Sequence, residues 1–174
     1  MNMTRNSLLM AVALVAAGNA WAGSACCPAD GQPRTAPAAV TKPKAAPAVV
    51  DDVLGQYGKI HAALAADSFG GVPAAARAIA KAVNEDTAKT LPAHVAKQAD
   101  DVANAKDLAA ARTMFKLLSQ SLARYMATEK IQTGKYVQAY CSMAKAGWIQ
   151  TDKEIKNPYY GSSMLKCGEL VSTY

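Results

Sequence analysis

The chain has 174 residues, 51% of them hydrophobic, and a formal charge of +6 from 19 Lys and Arg against 13 Asp and Glu. No run of five or six like charges occurs, and aromatic residues are not interleaved with basic ones along a face. This argues against nucleic acid as a partner and leaves the charge as a source of solubility and weak attraction to anionic surfaces.

Residues 1–22 read as a secretory signal peptide. Arg5 supplies the positive start, and Leu8 to Ala17 is an apolar run within the roughly 7–15 residues of a signal core, short of the ~20 that a membrane span needs. Ala20-Trp21-Ala22 offers a small-x-small cleavage site. The expected location is therefore the periplasm. Gly23-Ser24-Ala25-Cys26 keeps a rival open, a lipid-modified Cys26, although it lacks the large aliphatic residue such signals usually carry. No later apolar run is long enough to span a bilayer, so no transmembrane segment is expected in the mature chain.

Residues 23–50 read as a Pro/Ala-rich disordered linker. Pro28, Pro33, Pro37, Pro43 and Pro47 fix φ and remove donors, which favours extended polyproline II over packed structure. Fully extended, Pro28 to Val50 would reach roughly 70 Å at ~3.1 Å per residue.

Residues 51–174 read as the folded domain. Val53, Tyr57, Ile60 and Leu64 recur at helical spacing behind a cap at Asp51 or Asp52. Ser68-Phe69-Gly70-Gly71 breaks that helix. Pro73 suits the first turn of a second helix, whose stripe is Ala76, Ile79, Ala80 and Val83. Leu91-Pro92 punctuates again before Val95, Ala99 and Val102. Asp107 caps the strongest segment, in which Leu108, Ala111, Phe115, Leu118, Leu122 and Tyr125 line one face. Four amphipathic helices with short breaks predict an all-α fold, a four-helix up-down bundle.

The tail after Lys130 differs in kind. Val137, Ala139, Cys141 and Met143 alternate with polar residues, a weak strand or extended signal. Asn157-Pro158 starts a turn closed near Gly161. Ser162 or Ser163 suits the cap of a short helical turn through Met164 and Leu165, with Gly168 as its left-handed stop. This aromatic, turn-rich segment is expected to fold over the bundle. Trp148, Tyr159 and Tyr160 form either a partner surface or a seal on the bundle's end.

Enzyme signatures are absent: no glycine-rich phosphate loop, no nucleophile elbow, no HExxH. His61 and His94 are the only histidines, and their spacing forms no metal pair. The sequence reads as a protein that binds rather than catalyses. The chemistry it offers is in the tail, where Cys141 and Cys167 each have a methionine close by, Met143 and Met164. Two thiols and two thioethers admit two readings. All-sulfur donors suit Cu(I) or Ag(I). Thiols in an oxidising compartment instead pair as a structural disulfide.

The fourth helix and tail resemble an uncharacterised secreted bacterial domain family, also appended to periplasmic adaptor subunits of copper- and silver-exporting efflux systems. The likeness rests on AARTMFKLLSQSL (Ala110 to Leu122), YCSMA (Tyr140 to Ala144) and WIQTDKEIKNPYYGSSMLKCGE (Trp148 to Glu169). The family's motif commonly has proline where this chain has Ser142. The resemblance implies an exported helical protein associated with heavy-metal handling, with a periplasmic efflux adaptor or another envelope protein as its partner. Two functions are therefore carried forward. One is Cu(I)- or Ag(I)-type binding or efflux assistance through Cys141, Met143, Met164 and Cys167. The other is a metal-free envelope interaction module stapled by Cys141–Cys167.

Overall fold

A computed structural model describes residues 44–174. The expected signal segment, most of the linker, and Cys26 and Cys27 lie outside the described residues.

The helical stripes fold as helices. Helix α1 (Ala48–Ala65) buries Val53, Tyr57, Ile60 and Leu64. It starts three residues before Asp51, with Pro47 at the N-cap position and no side-chain cap. Asp51 falls in the first turn instead, where its charge complements the helix dipole. Helix α2 (Val72–Glu85) has Pro in its first turn and enters from Gly71 at φ 80°, a left-handed value that glycine adopts without penalty. Helix α3 (Ala93–Ala103) follows Pro92, and α4 (Leu108–Thr128) is capped by Asp107, whose side chain accepts from Ala110 N at 2.8 Å.

The all-α expectation is overturned. After α4 the chain forms a three-stranded antiparallel sheet of β1 (Val137–Cys141), β2 (Ala146–Gln150) and β3 (Glu169–Thr173), in the order β2-β1-β3. The fold is a mixed one, with helices first and a sheet after them. Its physical cause lies in which faces the helices leave open. Consecutive helices pack on one another, but α1 and α4 meet mainly through long side chains. The Tyr57 and Phe115 rings stack with centroids 4.8 Å apart, and Tyr57 Oη lies 2.8 Å from Ser119 Oγ. Strand β2 completes the core beside α4 and α1, and its Trp148 and Ile149, which point to opposite faces of the strand, are both buried. Its Ile149 N–H donates to Tyr57 Oη at 3.1 Å, so one bond at the sheet's outer edge is satisfied by a helix side chain.

The alternation at 137–141 was the visible trace of β1, with Val137, Ala139 and Cys141 inward and Tyr140 outward. It stops at Cys141, so Met143 belongs to the hairpin turn and not to the strand. Strand β3 is exposed along its whole length and thus carries no inward pattern.

The chain enters and leaves this fold beside the same loop. Lys44 bridges to Ile131 and its carbonyl accepts from Gln132 N at 3.0 Å. Tyr174 accepts from Gly134 N at 2.7 Å and donates to Tyr136 O at 2.8 Å.

Candidate functional site: a dithiol at the end of the sheet

Cys141 is the last residue of β1, opposite Ala146 of β2. The turn that follows is tight. Lys145 N donates to Ser142 O at 3.2 Å, and Lys145 itself takes φ 50°. In this turn Ala144 N points back at Cys141 Sγ, 3.4 Å away.

Cys167 reaches the same place from the other direction. The 3₁₀ turn Gly161–Met164 ends with Cys167 N donating to Met164 O at 3.0 Å. Gly168 then runs at φ 146°, and a Cβ there would stand 2.8 Å from Trp148 Cη2 and 3.0 Å from Tyr140 O. Only glycine lets the chain pass this close over the sheet and deliver Cys167 to the end of β1. The two sulfurs, 26 positions apart in sequence, lie 3.1 Å from one another as unbonded thiols, Cys141 buried and Cys167 half-buried.

The local environment separates the two thiols electrically. Burial pushes the Cys141 thiol up, but the Ala144 N–H, the Cys167 S–H and further donors at Met143 and Asn157 outweigh it and bring it below its ordinary value. Cys167 moves the other way, raised first by its hydrogen bond to Cys141 and then by desolvation. Of the two, Cys141 is therefore the thiol that gives up its proton more readily, and Cys167 the one that keeps it.

The frame around the pair is hydrogen-bonded. Asn157 is fully buried. Its Nδ2 donates to Cys167 O at 2.7 Å, its Oδ1 accepts from Tyr159 N at 2.8 Å, and its N–H donates to Leu165 O at 2.8 Å. One side chain thus ties the Asn157-Pro158 loop to the cysteine. A second clamp fixes the loop to the helices. Arg112 of α4 donates to Pro158 O (2.9 Å), to Leu64 O (2.7 Å) and to Asp67 (2.6 Å), and Asp67 accepts from Ser162 N at 2.9 Å. The hydrogen bonds from Ser162 and Arg112 hold the Asp67 carboxyl at about 2, below its usual 3.8. Gly161 sits under this clamp at φ 55°, where a Cβ would collide with the Asp67 carboxylate.

The four sulfur residues singled out from sequence are placed as follows. Cys141 and Cys167 are brought together. Met143 lies in the turn two residues beyond Cys141 and is 60% exposed. Met164 is half-buried and holds Cys167 N through its carbonyl. Trp148 and Tyr159 are buried and meet edge to face at 5.8 Å, so they pack inward and offer no face to a partner. Tyr160 is half-buried. His94 is exposed on α3, while His61 is buried with Nε2 2.8 Å from Lys156 O. Among the described residues, no three or more of His, Cys, Asp and Glu gather as a metal-type cluster, so neither histidine extends the thiol pair.

Sequence reasoning missed Asn157, Arg112 and Asp67 as the residues that hold the site. Asn157-Pro158 signalled a turn but not that its amide would reach Cys167. The Arg112–Asp67 pair spans 45 positions and leaves no local signal.

Comparison with family models, curated proteins and solved structures finds no match for the chain. Among the described residues no helix is long and apolar enough to cross a membrane.

Proposed function

We propose that this chain is an exported, non-enzymatic soft-metal-handling protein. It takes Cu(I) or Ag(I) at the Cys141–Cys167 pair, with Met143 and Met164 as neighbouring thioether donors. It acts alone or passes the ion to an efflux adaptor of the kind its tail motifs resemble. The observation that carries the reading is the meeting of two distant thiols at 3.1 Å, one of them held below its ordinary pKa, beside a solvent-facing methionine. Thiolate and thioether sulfur select soft monovalent ions over hard cations. The exposed position of Met143 gives an incoming ion a first contact before it reaches the buried sulfur. Binding displaces thiol protons, so affinity falls as pH drops.

A second reading rests on the same separation. Thiols this close, in an oxidising compartment, form a disulfide, and the chain is then a stapled interaction module with no metal.

Anaerobic competition between the reduced domain and a chromophoric Cu(I) chelator tests the first reading. A Cys141→Ser variant is expected to bind at least about 100-fold more weakly, close to 3 kcal/mol. An affinity unchanged by that substitution sinks the metal site. Mass spectrometry of the unreduced protein from copper-loaded cells tests the second. A complete Cys141–Cys167 crosslink under copper load favours the staple.

A further inference from the structure

On the side of α1 that faces the strand β2 and the loop before β1, a cleft of about 470 Å³ opens between helix and sheet. Its size lies within the few-hundred-Å³ range of small-molecule sites. The floor is made by Gly55, Gly58 and Ala62 of α1, and the walls by Tyr136 and Ile149. The glycines are hard to explain as packing. Both lie inside a helix, where glycine is destabilising relative to alanine, and a Cβ on either would meet nothing within 4 Å. Their effect is to leave the cleft open.

Two buried polar side chains line this space, His61 and Gln150, and the Gln150 amide is taken up by the protein itself, its Oε1 accepting from Trp148 Nε1 and Lys156 N and its Nε2 donating to Glu154 O. His61 is only 6% exposed and lines the cleft. Its Nε2 lies 2.8 Å from Lys156 O, an acceptor, so that nitrogen carries the proton. Burial, foremost, holds the ring's pKa down and keeps it neutral. Nδ1 therefore keeps its lone pair, and among the described residues the one hydrogen bond of this ring is that of Nε2. At the rim, Lys135 Nζ stands 5.0 Å from the Tyr136 ring centroid and has no carboxylate partner among the described residues. The second rim cation, Lys156, is already paired with Asp152 at 2.6 Å.

We propose that this cleft binds a small organic anion with an apolar body. The body lies on the Gly55–Gly58–Ala62 floor, the anionic head meets Lys135, and an N–H or O–H of the ligand donates to Nδ1 of His61. The site is separate from the dithiol, and its occupancy is independent of the metal reading.

Indole-3-acetate carries all three features and serves as the probe, titrated into the ¹⁵N-labelled protein and followed by amide shifts. Saturable shifts at Gly55, Gly58, Ile149 and Gln150 are expected, with Kd below about 1 mM. Naphthalene-1-acetate lacks the N–H donor and is expected to bind about tenfold more weakly; acetate, without the body, should not saturate. Gly58→Leu and Ala62→Leu fill the floor and are each expected to weaken binding at least about tenfold. Lys135→Ala, at an exposed position, should weaken indole-3-acetate about fivefold and leave neutral indole unchanged. No saturation at 5 mM (about the weakest binding worth calling a site), shifts confined to other faces, or equal affinity across the folded variants would overturn the proposal.

Discussion

Oxidising the Cys141–Cys167 pair is expected to stabilise the domain by about 3.5 kcal/mol relative to the dithiol. The figure follows from the 26 positions that separate the two residues. Cross-linking a chain segment of that length removes about 12 cal/mol/K of entropy from the unfolded state, or about 3.5 kcal/mol at 25 °C. Little native strain offsets it, because the fold already holds the thiols side by side through Gly168, Asn157 and the Ala144 turn. Against a typical domain stability of ~5–15 kcal/mol this is a large share. The assay is urea unfolding of the purified domain, once with dithiothreitol and once after diamide, which accepts the two electrons and two protons that disulfide formation releases. With an m-value of about 2 kcal/mol/M, the midpoint should rise by roughly 1.7 M. The double variant Cys141→Ser/Cys167→Ser should show no difference between the two conditions. A midpoint shift below about 0.5 M in the parent protein, with the crosslink verified by mass, would refute the loop-entropy reasoning.

Three further outcomes follow from the hydrogen-bonded frame. Tyr57→Phe leaves the buried Ile149 N–H without its acceptor and Ser119 without its partner, and should cost about 1–3 kcal/mol by the same urea assay. Asn157→Ala removes the hold on Cys167 O and on Tyr159 N. It should cost about 2–4 kcal/mol, and it should also raise the rate at which 5,5′-dithiobis(2-nitrobenzoate) modifies Cys167. Asp67 titrates at about 2 in the fold against an ordinary 3.8. A depressed folded value means that its contribution is complete above the ordinary value and is lost as pH falls through 2. Asp67→Asn should therefore lower the urea midpoint at pH 5–7 and make a much smaller difference near pH 2; a gap that stays constant over that range would contradict the clamp.

The helices were readable because their apolar residues repeat with a period the sequence displays directly. Val53, Tyr57, Ile60 and Leu64 could lie on one face only if the segment were helical, and Asp107 announced the start of α4 by residue type alone. The sheet was not readable in the same way. Strand β1 is five residues long and has a single β-branched residue, and β3 turns no face inward. A strand defined by pairing and not by burial carries little periodic signal. The dithiol was half legible. Residue chemistry singled out Cys141 and Cys167, but their adjacency depends on a glycine at φ 146° and on an asparagine amide bridging ten positions. Trp148 and Tyr159 show the converse. Aromatic residues suit an interface and a core equally well, and only β2's docking on the α1–α4 face decides between them.

The shared loop at which Lys44 enters and Tyr174 leaves has a consequence for how the domain is handled. Strand β1 starts beside that loop and ends at Cys141, so about 14 Å of extended chain separates the anchorage from the sulfur pair. Lys44 and Tyr174 thus meet beside the start of β1, and the thiols lie at its end. A surface, tag or fluorophore attached at Tyr174 should leave the thiols open to solution. A short linker joining Lys44 to Tyr174 in residues 44–174 alone, with new termini cut in an exposed helix–helix connection, should give a circular permutant whose thiol chemistry is unaltered.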